Sequence, residues 1–303
     1  MSPQRVVVKV PATTANLGPG FDCLGLALDI HNTVSLEVGD SPEVAITGQG
    51  ADTLPKNPTN AVYRAAEALY RHLGRPTPPL RLSCHNEIPL ARGLGSSAAA
   101  AVGGLVAANV LCGSPLSEGH LVLIAARLEG HPDNVAPATK GGCCVALEDG
   151  GRIVTASIPF PTALKTVLFI PDFKMPTAES RLILPQTISR EDAVFNVART
   201  ALLVASLATG QTKNLQLATQ DRLHQPARQT IFPAMADIFA AALEAGALGA
   251  FLSGAGPTVL ALATENEEDI AHAMLGAAEK RGVSGRTCVT RPSPQGARII
   301  AYE

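Results

Sequence analysis

Two short stretches of this chain concentrate residue types that do chemistry. The first, Pro89-Leu90-Ala91-Arg92-Gly93-Leu94-Gly95-Ser96-Ser97-Ala98-Ala99, reads as a glycine-rich turn feeding the start of an alanine-rich helix. Glycines let the backbone bend so that several N–H groups converge, and the helix dipole adds partial positive charge at the same point. That combination is a cradle for phosphate. Ser96 and Ser97 stand where hydroxyls can cap the helix and reach a phosphate oxygen or Mg²⁺. No Lys follows the last Gly, so this is not a Walker A loop, and it is not the Gly-x-Ser-x-Gly elbow of a hydrolase.

The second stretch, Leu128-Glu129-Gly130-His131-Pro132-Asp133-Asn134-Val135-Ala136-Pro137, brings an acid, an imidazole, a second acid and an amide into consecutive positions of a loop after a helix. Mg²⁺ takes oxygen ligands and usually only one or two from protein, which makes Glu129 with Ser97 the expected pair. His131 has no second His at helical spacing, which excludes a zinc-protease helix. Asp133 has the chemistry of a general base, but the reading preferred for it is a structural acceptor for loop N–H groups. Lys9 is either a cation aimed at the site or an edge lysine with its head in water.

These loops need rigid elements around them. Strands are expected at Arg5 to Val10, Thr33 to Val38, Glu43 to Thr47 and Leu80 to His85, from β-branched runs and alternation. Val62, Ala65, Ala66, Leu69 and Leu73 recur at helical spacing with Gly74 as the stop, and Pro76, Pro78 and Pro79 then enforce an extended connection. A helix runs from near Ser96 to about Cys112, and Ser117 is placed to cap another that reaches Glu129. Strands Gly142 to Leu147 and Ile153 to Ile158 follow, and Pro159 and Pro161 break the β structure, which places a domain boundary there. The second half reads strand (166–170), helix (190–208), helix (233–245), strand (249–252), strand (258–263), helix (266–281), strand (285–290), an α+β pattern with helices on one face of a mostly antiparallel sheet.

The 303-residue length suits two domains, expected as 1–160 and 161–303. A formal net charge of -2 with scattered Lys and Arg gives no electrostatic case for nucleic acid. The apolar stretches Ser97 to Cys112 and Leu121 to Leu128 are rich in Ala and Gly or interrupted by Arg127, and fit no membrane span. Met1 to Lys9 lacks a signal peptide's apolar core, so the cytoplasm is the expected compartment. The six cysteines fit no zinc spacing and read as reduced, mostly buried fillers. There is no tandem repeat.

The phosphate-loop string resembles the second signature of the GHMP kinases, and two further signatures stand in the expected order. Pro11-Ala12-Thr13-Thr14-Ala15-Asn16-Leu17-Gly18-Pro19-Gly20-Phe21-Asp22-Cys23-Leu24-Gly25 resembles the homoserine kinase branch of the first signature, and Phe251-Leu252-Ser253-Gly254-Ala255-Gly256-Pro257-Thr258-Val259 resembles the third. The resemblance spans nearly the whole chain. It implies an S5-like N-terminal domain and a ferredoxin-like C-terminal domain with the site in the cleft between them. It also implies ATP with Mg²⁺ as phosphoryl donor, L-homoserine as acceptor, no nucleic-acid or membrane partner, and room for a homodimer.

By the same resemblance Asn16, Asp22 and His131 contact substrate, Asn134 aligns the acceptor hydroxyl in place of a catalytic base, and Asn60 meets the adenine. Chemistry agrees for Asp22, since an ammonium deprived of water needs a carboxylate. For the substrate carboxylate, the stretches Pro176 to Arg181 and Asp221 to Arg228 resemble those carrying the family's arginines, which points to Arg181 and Arg228 with Thr177 nearby. The rival readings are another GHMP kinase with a different hydroxylated acceptor, a serine hydrolase built on Ser96 or Ser97 with His131 and Asp133, and a nucleotide-binding scaffold without turnover.

Overall fold

Val6, Val8, Val10 and Ala12 lie on one side of the first strand and are fully buried, which fixes the register of the sheet that carries the site. The computed structural model describes residues 4–303; residues 1–3, where the reading for a leader begins, lie outside the described residues. The first half runs β1 (Arg5–Ala15), β2 (Leu24–Val38), β3 (Glu43–Gly48), α1 (Ala61–His72), β4 (Leu80–Asn86), α2 (Ser96–Leu111), α3 (Glu118–Glu129), α4 (Val135–Lys140), β5 (Cys143–Asp149) and β6 (Arg152–Ile158). The second runs β7 (Lys165–Pro171), α5 (Thr177–Leu182), α6 (Arg190–Thr209), α7 (Leu215–Ala218), α8 (Gln225–Gln229), α9 (Met235–Glu244), β8 (Gly249–Leu252), β9 (Val259–Ala263), α10 (Glu267–Lys280), β10 (Gly285–Thr290) and β11 (Arg298–Tyr302).

Two sheets result. The larger has the order β11-β1-β2-β4-β3, with β5 on the start of β2 and β6 beyond it; the smaller has the order β10-β7-β9-β8 and is antiparallel throughout. In chain order the smaller sheet is 4-1-3-2, with α9 and α10 packed on one face through Phe232, Ile238, Ile270 and Met274. Its other face, through Leu168, Ile170, Phe251 and Leu260, merges with the core of the first half. The α+β class and the two-part architecture are as expected. One correction concerns the division at 160/161, because the last segment does not stay with the second half. β11 returns to pair with β1, which has a free edge to satisfy.

Strands β1 and β2 extend well beyond the expected Arg5 to Val10 and Thr33 to Val38. β1 continues through Pro11, which has no N–H to donate, and the register against β2 shifts between Pro11 and Ala12. Thr13 and Thr14 follow the shift on β1, and Asn16 lies just past its end. α4, α5, α7 and α8 are absent from the sequence reading because four to six residues hold too little periodicity to detect. α6 is long and apolar enough to cross a bilayer by length and composition. Its Asn196, however, is buried and donates to the Pro19 carbonyl and Asp221, which ties the helix to the globule.

α2 is apolar on every side and is buried between the sheet and α1. Small residues allow this. A Cβ at Gly104 would stand 2.3 Å from the Val62 carbonyl oxygen of α1. Gly104→Ala gains at most about 1 kcal/mol of helix propensity, but a rigid backbone oxygen cannot yield, and overpacking costs typically about 1–3 kcal/mol. The net expectation is destabilisation, read as a lower urea midpoint; an equal or higher midpoint would show that α1 shifts freely.

Candidate active site

The phosphate loop is built from left-handed turns. Ala91, Gly93 and Gly95 have φ of 52°, 73° and 67°. At the two glycines a side chain would also collide: a Cβ on Gly93 would lie 2.1 Å from the Ser253 carbonyl oxygen and one on Gly95 1.8 Å from Thr13 Oγ1. The third signature and β1 thus press the loop from below. Gly95 itself holds the cap position of α2 and supplies no side-chain hydrogen bond. The expectation that Ser96 or Ser97 caps the helix is therefore corrected. Both are first-turn residues, and the N–H groups at this end stay available to an anion.

Ser97 instead donates to Glu129 Oε1 at 2.7 Å. Burial holds the Glu129 carboxyl above its ordinary range, against the lowering effect of the Ser97 hydroxyl. A desolvated carboxylate with a hydroxyl partner is suited to a cation, so the pair fits the expected Mg²⁺ ligands. The same contact turns Ser97 away from hydrolase chemistry. His131 points its Nδ1 at Asp133 Oδ1, 2.6 Å away, and no serine stands in that pair. This hydrogen bond raises the His131 pKa, with burial opposing.

Asp133 is 2% exposed, and its Oδ1 also accepts from the Asn134 backbone N–H at 2.8 Å and from Asn134 Nδ2 at 3.2 Å. It is the acceptor for the loop. Because a carboxylate only accepts, Asn134 must turn its NH₂ toward Asp133, which leaves Oδ1 to receive the Thr13 hydroxyl at 2.8 Å.

At the other end of the cleft Asp22 and Arg181 face each other directly, Oδ1 to Nη2 at 2.6 Å and Oδ2 to Nη1 at 2.9 Å. The sequence gives them separate partners; the structure pairs them with one another. Arg228 differs. It is 1% exposed, donates to His224 Nδ1 at 2.8 Å and to the Gly254 carbonyl at 3.0 Å, and leaves its Nε unpartnered. Neither partner is an anion. Burial pushes its pKa down to about 10, and the nearby Arg181 charge adds to that.

The cleft, about 480 Å³, gathers Asn16, Asp22, Ala91 to Ala98, Glu129, His131, Asp133, Asn134, Thr177, Arg181 and Arg228. Some expected contacts lie elsewhere. The Asn16 amide accepts from Asp22 N–H and donates to the Gly254 carbonyl, so it braces the first signature against the third. Arg92 lines the cleft, yet its guanidinium donates to the carbonyls of Leu90, Pro171 and Asp172 and staples the loop to the end of β7. Asn60 does not line this cleft: it is buried, caps α1 by accepting from Val62 N–H, and donates to the Pro55 carbonyl. Ala99 is core, and Pro89 and Leu90 face a neighbouring hollow of about 210 Å³. Lys9 does not line the cleft.

Three contributors escaped the sequence reading. Thr13 has been described. Phe21 stacks on His224 at 5.2 Å between ring centres, with the Arg181 and Arg228 guanidinium groups 5.6 and 5.7 Å from its centroid. His224 donates from Nε2 to the Gly18 carbonyl, since its Nδ1 accepts from Arg228. Only their places inside quoted motifs hinted at a role.

The GHMP kinases N terminal domain family matches residues 60–142, and the GHMP kinases C terminal family matches 203–280. A homoserine kinase of Moorella thermoacetica is 47% identical over 97% of this chain and 99% of its own. The chain belongs to the homoserine kinase family. A homoserine kinase of Thermosynechococcus vestitus is 49% identical over 84% of this chain and 85% of its own. The crystal structure of homoserine kinase from Cytophaga hutchinsonii superposes with a TM-score of 0.88 at 31% identity, covering 99% of this chain and 98% of that one. This chain is accordingly a kinase, and kinases of this family use ATP.

His224 is one buried histidine whose burial should make this kinase acid-sensitive. Complete burial beside Arg228 pushes its pKa from the ordinary 6.5 to about 4, despite Asp221. Between those values the unfolded chain binds a proton that the folded chain excludes, so folding weakens as pH falls from 6.5 toward 4, with a ceiling of roughly 3 kcal/mol. His224→Gln can accept from Arg228 and donate to Gly18 without titrating. Its urea midpoint is expected to fall less than that of the wild type between pH 7 and 5. Parallel losses in both proteins would show that His224 is not the group responsible.

Proposed function

We propose that this kinase transfers the γ-phosphoryl group of ATP to the side-chain hydroxyl of L-homoserine, giving O-phospho-L-homoserine for threonine biosynthesis. The observation that carries the reading is the charge pattern at the substrate end of the cleft. A buried guanidinium, Arg228, has only neutral partners, and beside it a carboxylate and a second guanidinium, Asp22 and Arg181, are bound to each other.

A zwitterion fits this arrangement. The Asp22–Arg181 pair is about one-third exposed on each side, so its net worth is about 1 kcal/mol or less and it opens easily. An incoming ammonium takes Asp22 while the carboxylate takes Arg181 and Arg228, and each charge keeps a partner throughout. An acceptor with one charge strands half of the pair.

At the reacting end, the N–H groups of the Gly93 to Ser97 loop cradle the phosphates, and Ser97 with Glu129 would hold Mg²⁺. When bound, that ion neutralises phosphate charge. Asn134 has one N–H left for the acceptor oxygen after its bond to Asp133, enough to hold the hydroxyl toward the γ-phosphorus. A loose transition state needs alignment more than a strong base, and Asp133 is already engaged three times over. His131 then contacts substrate from above its bond to Asp133.

ADP release across a panel of hydroxylated acceptors tests the substrate. Turnover with mevalonate or galactose but none with L-homoserine would overturn it. Asp22→Asn is expected to raise the KM for L-homoserine about tenfold to hundredfold, the worth of a charged hydrogen bond. It should also lower the KM for 4-hydroxybutyrate, which has no ammonium and otherwise competes with Asp22 for Arg181. An unchanged homoserine KM would remove Asp22 from the ammonium site. Glu129→Gln is expected to raise the Mg²⁺ needed for half-maximal rate by about tenfold or more, since one of the few protein oxygens loses its charge. An unaltered Mg²⁺ titration would take Glu129 out of the metal site.

A further inference from the structure

We propose that Thr13 is a positioning residue that sets the distance between the phosphate loop and the acceptor hydroxyl, acting through Asn134. The inference rests on the reading of Asn134 as the group that meets that hydroxyl. Thr13 is fully buried on β1 and reaches both halves of the reaction at once. Its backbone N–H donates to the Leu94 carbonyl of the phosphate loop at 3.1 Å, and its hydroxyl donates to Asn134 Oδ1 at 2.8 Å.

Asp133 sets which way the Asn134 amide faces, and the Thr13 hydroxyl locks its other end. Asp133 holds one end of that amide by its NH₂ at 3.2 Å and Thr13 holds the other by its oxygen, so the plane of the amide is fixed at both ends. The remaining N–H is then presented to the cleft in one orientation. Without the Thr13 hydroxyl, Asn134 keeps only the longer of the two bonds and can rotate about its side chain. Gly95 closes the arrangement from the loop side, because any Cβ there would stand 1.8 Å from Thr13 Oγ1 and 3.2 Å from Asn134 Oδ1. Phosphate loop, threonine and asparagine therefore form one stacked unit, and a shift of about 1 Å in such a unit costs on the order of a hundredfold in rate.

The kinetic signature separates this role from simple packing. Thr13 touches neither the ammonium end nor the Mg²⁺ pair, so losing its hydroxyl should act on turnover and spare substrate affinity. Thr13→Val keeps the shape and removes the donor; Thr13→Ser keeps the donor and removes a methyl. With saturating Mg-ATP, Thr13→Val is expected to lower kcat by about tenfold to hundredfold with the homoserine KM within about twofold, and Thr13→Ser to stay within about threefold of wild type. Asn134→Ala is expected to lower kcat, and Thr13→Val added to it to do nothing more.

Thermal midpoints accompany each variant. Should Thr13→Val not fold, Thr13→Cys, with its weak donor, is expected to fall between serine and valine in kcat. The proposal is overturned if the non-donating variant turns over as fast as wild type, if serine is as impaired as valine, or if the Asn134→Ala background shows the full Thr13 effect. If Asn134→Ala itself leaves kcat unchanged, the reading of Asn134 falls and this inference with it; if only the Thr13 variants are silent, the inference falls alone.

Discussion

Everything in the site is arranged around a helix start that has no side-chain cap. The first N–H groups of α2 have no intrahelical acceptors, and Gly95, in a left-handed conformation, offers none. In most helices a serine or aspartate would close that end. Here the two serines fall one step too late, so the unsatisfied donors point at the cleft together with the positive end of the dipole. An anion is the missing partner. The cost of keeping this end open is met by the elements beneath it: Ser253 donates to the Gly93 carbonyl and accepts from the Thr14 hydroxyl, Thr13 holds Leu94, and Arg92 fastens the loop to β7. The two halves of the chain are joined at this open helix start.

The substrate end follows the opposite logic. There Asp22 and Arg181 satisfy each other within the protein, both arginines stack against Phe21, and Arg228 alone lacks an anion. His224 and Asp221 support this from behind. The Asp221 side chain is wholly buried and accepts from the backbone N–H groups of Leu223, His224 and Gln225 and from Asn196, which fixes the turn that delivers Arg228. A buried guanidinium is tolerated because its immediate partners are placed before substrate arrives. Rigid support behind a partly exposed, exchangeable ion pair lets a charged ligand enter without moving the backbone.

Much of this was readable from residues alone, and the unread part has a common cause. The phosphate loop, the Glu129 to Asn134 cluster and the main strands and helices are local signals, carried by spacing within a dozen residues. What failed was long-range. Asn60 sits in a plausible place for an adenine contact, but its side chain is claimed by the helix it precedes. Arg92 looks like a phosphate ligand until β7 brings two carbonyls beside it. Thr13 is one of two adjacent threonines on a strand, and only the tertiary packing brings Thr13 to Asn134 and Thr14 to Ser253. The return of β11 to β1 likewise depends on an edge being open at the far end of the chain. None of these pairings leaves a periodicity to find.

The three carboxylates of the cleft show how far the arrangement anticipates its ligands. Asp22 has Arg181, and Asp133 has His131, each within 2.6 Å. Glu129 has a neutral hydroxyl, and its carboxyl is held above its ordinary range by burial, whereas Asp22 sits beside a guanidinium and Asp133 beside an imidazole. Among these three carboxylates, the one without a charged partner is therefore Glu129, next to the helix start where a polyphosphate fits. A divalent cation shared between Glu129 and that polyphosphate would relieve the desolvated carboxylate and the phosphate charge together, while leaving the Asp133–His131 and Asp22–Arg181 pairs to hold the acceptor. Metal end and amino-acid end are thus kept electrostatically apart, and Asn134, which carries no charge, stands between them.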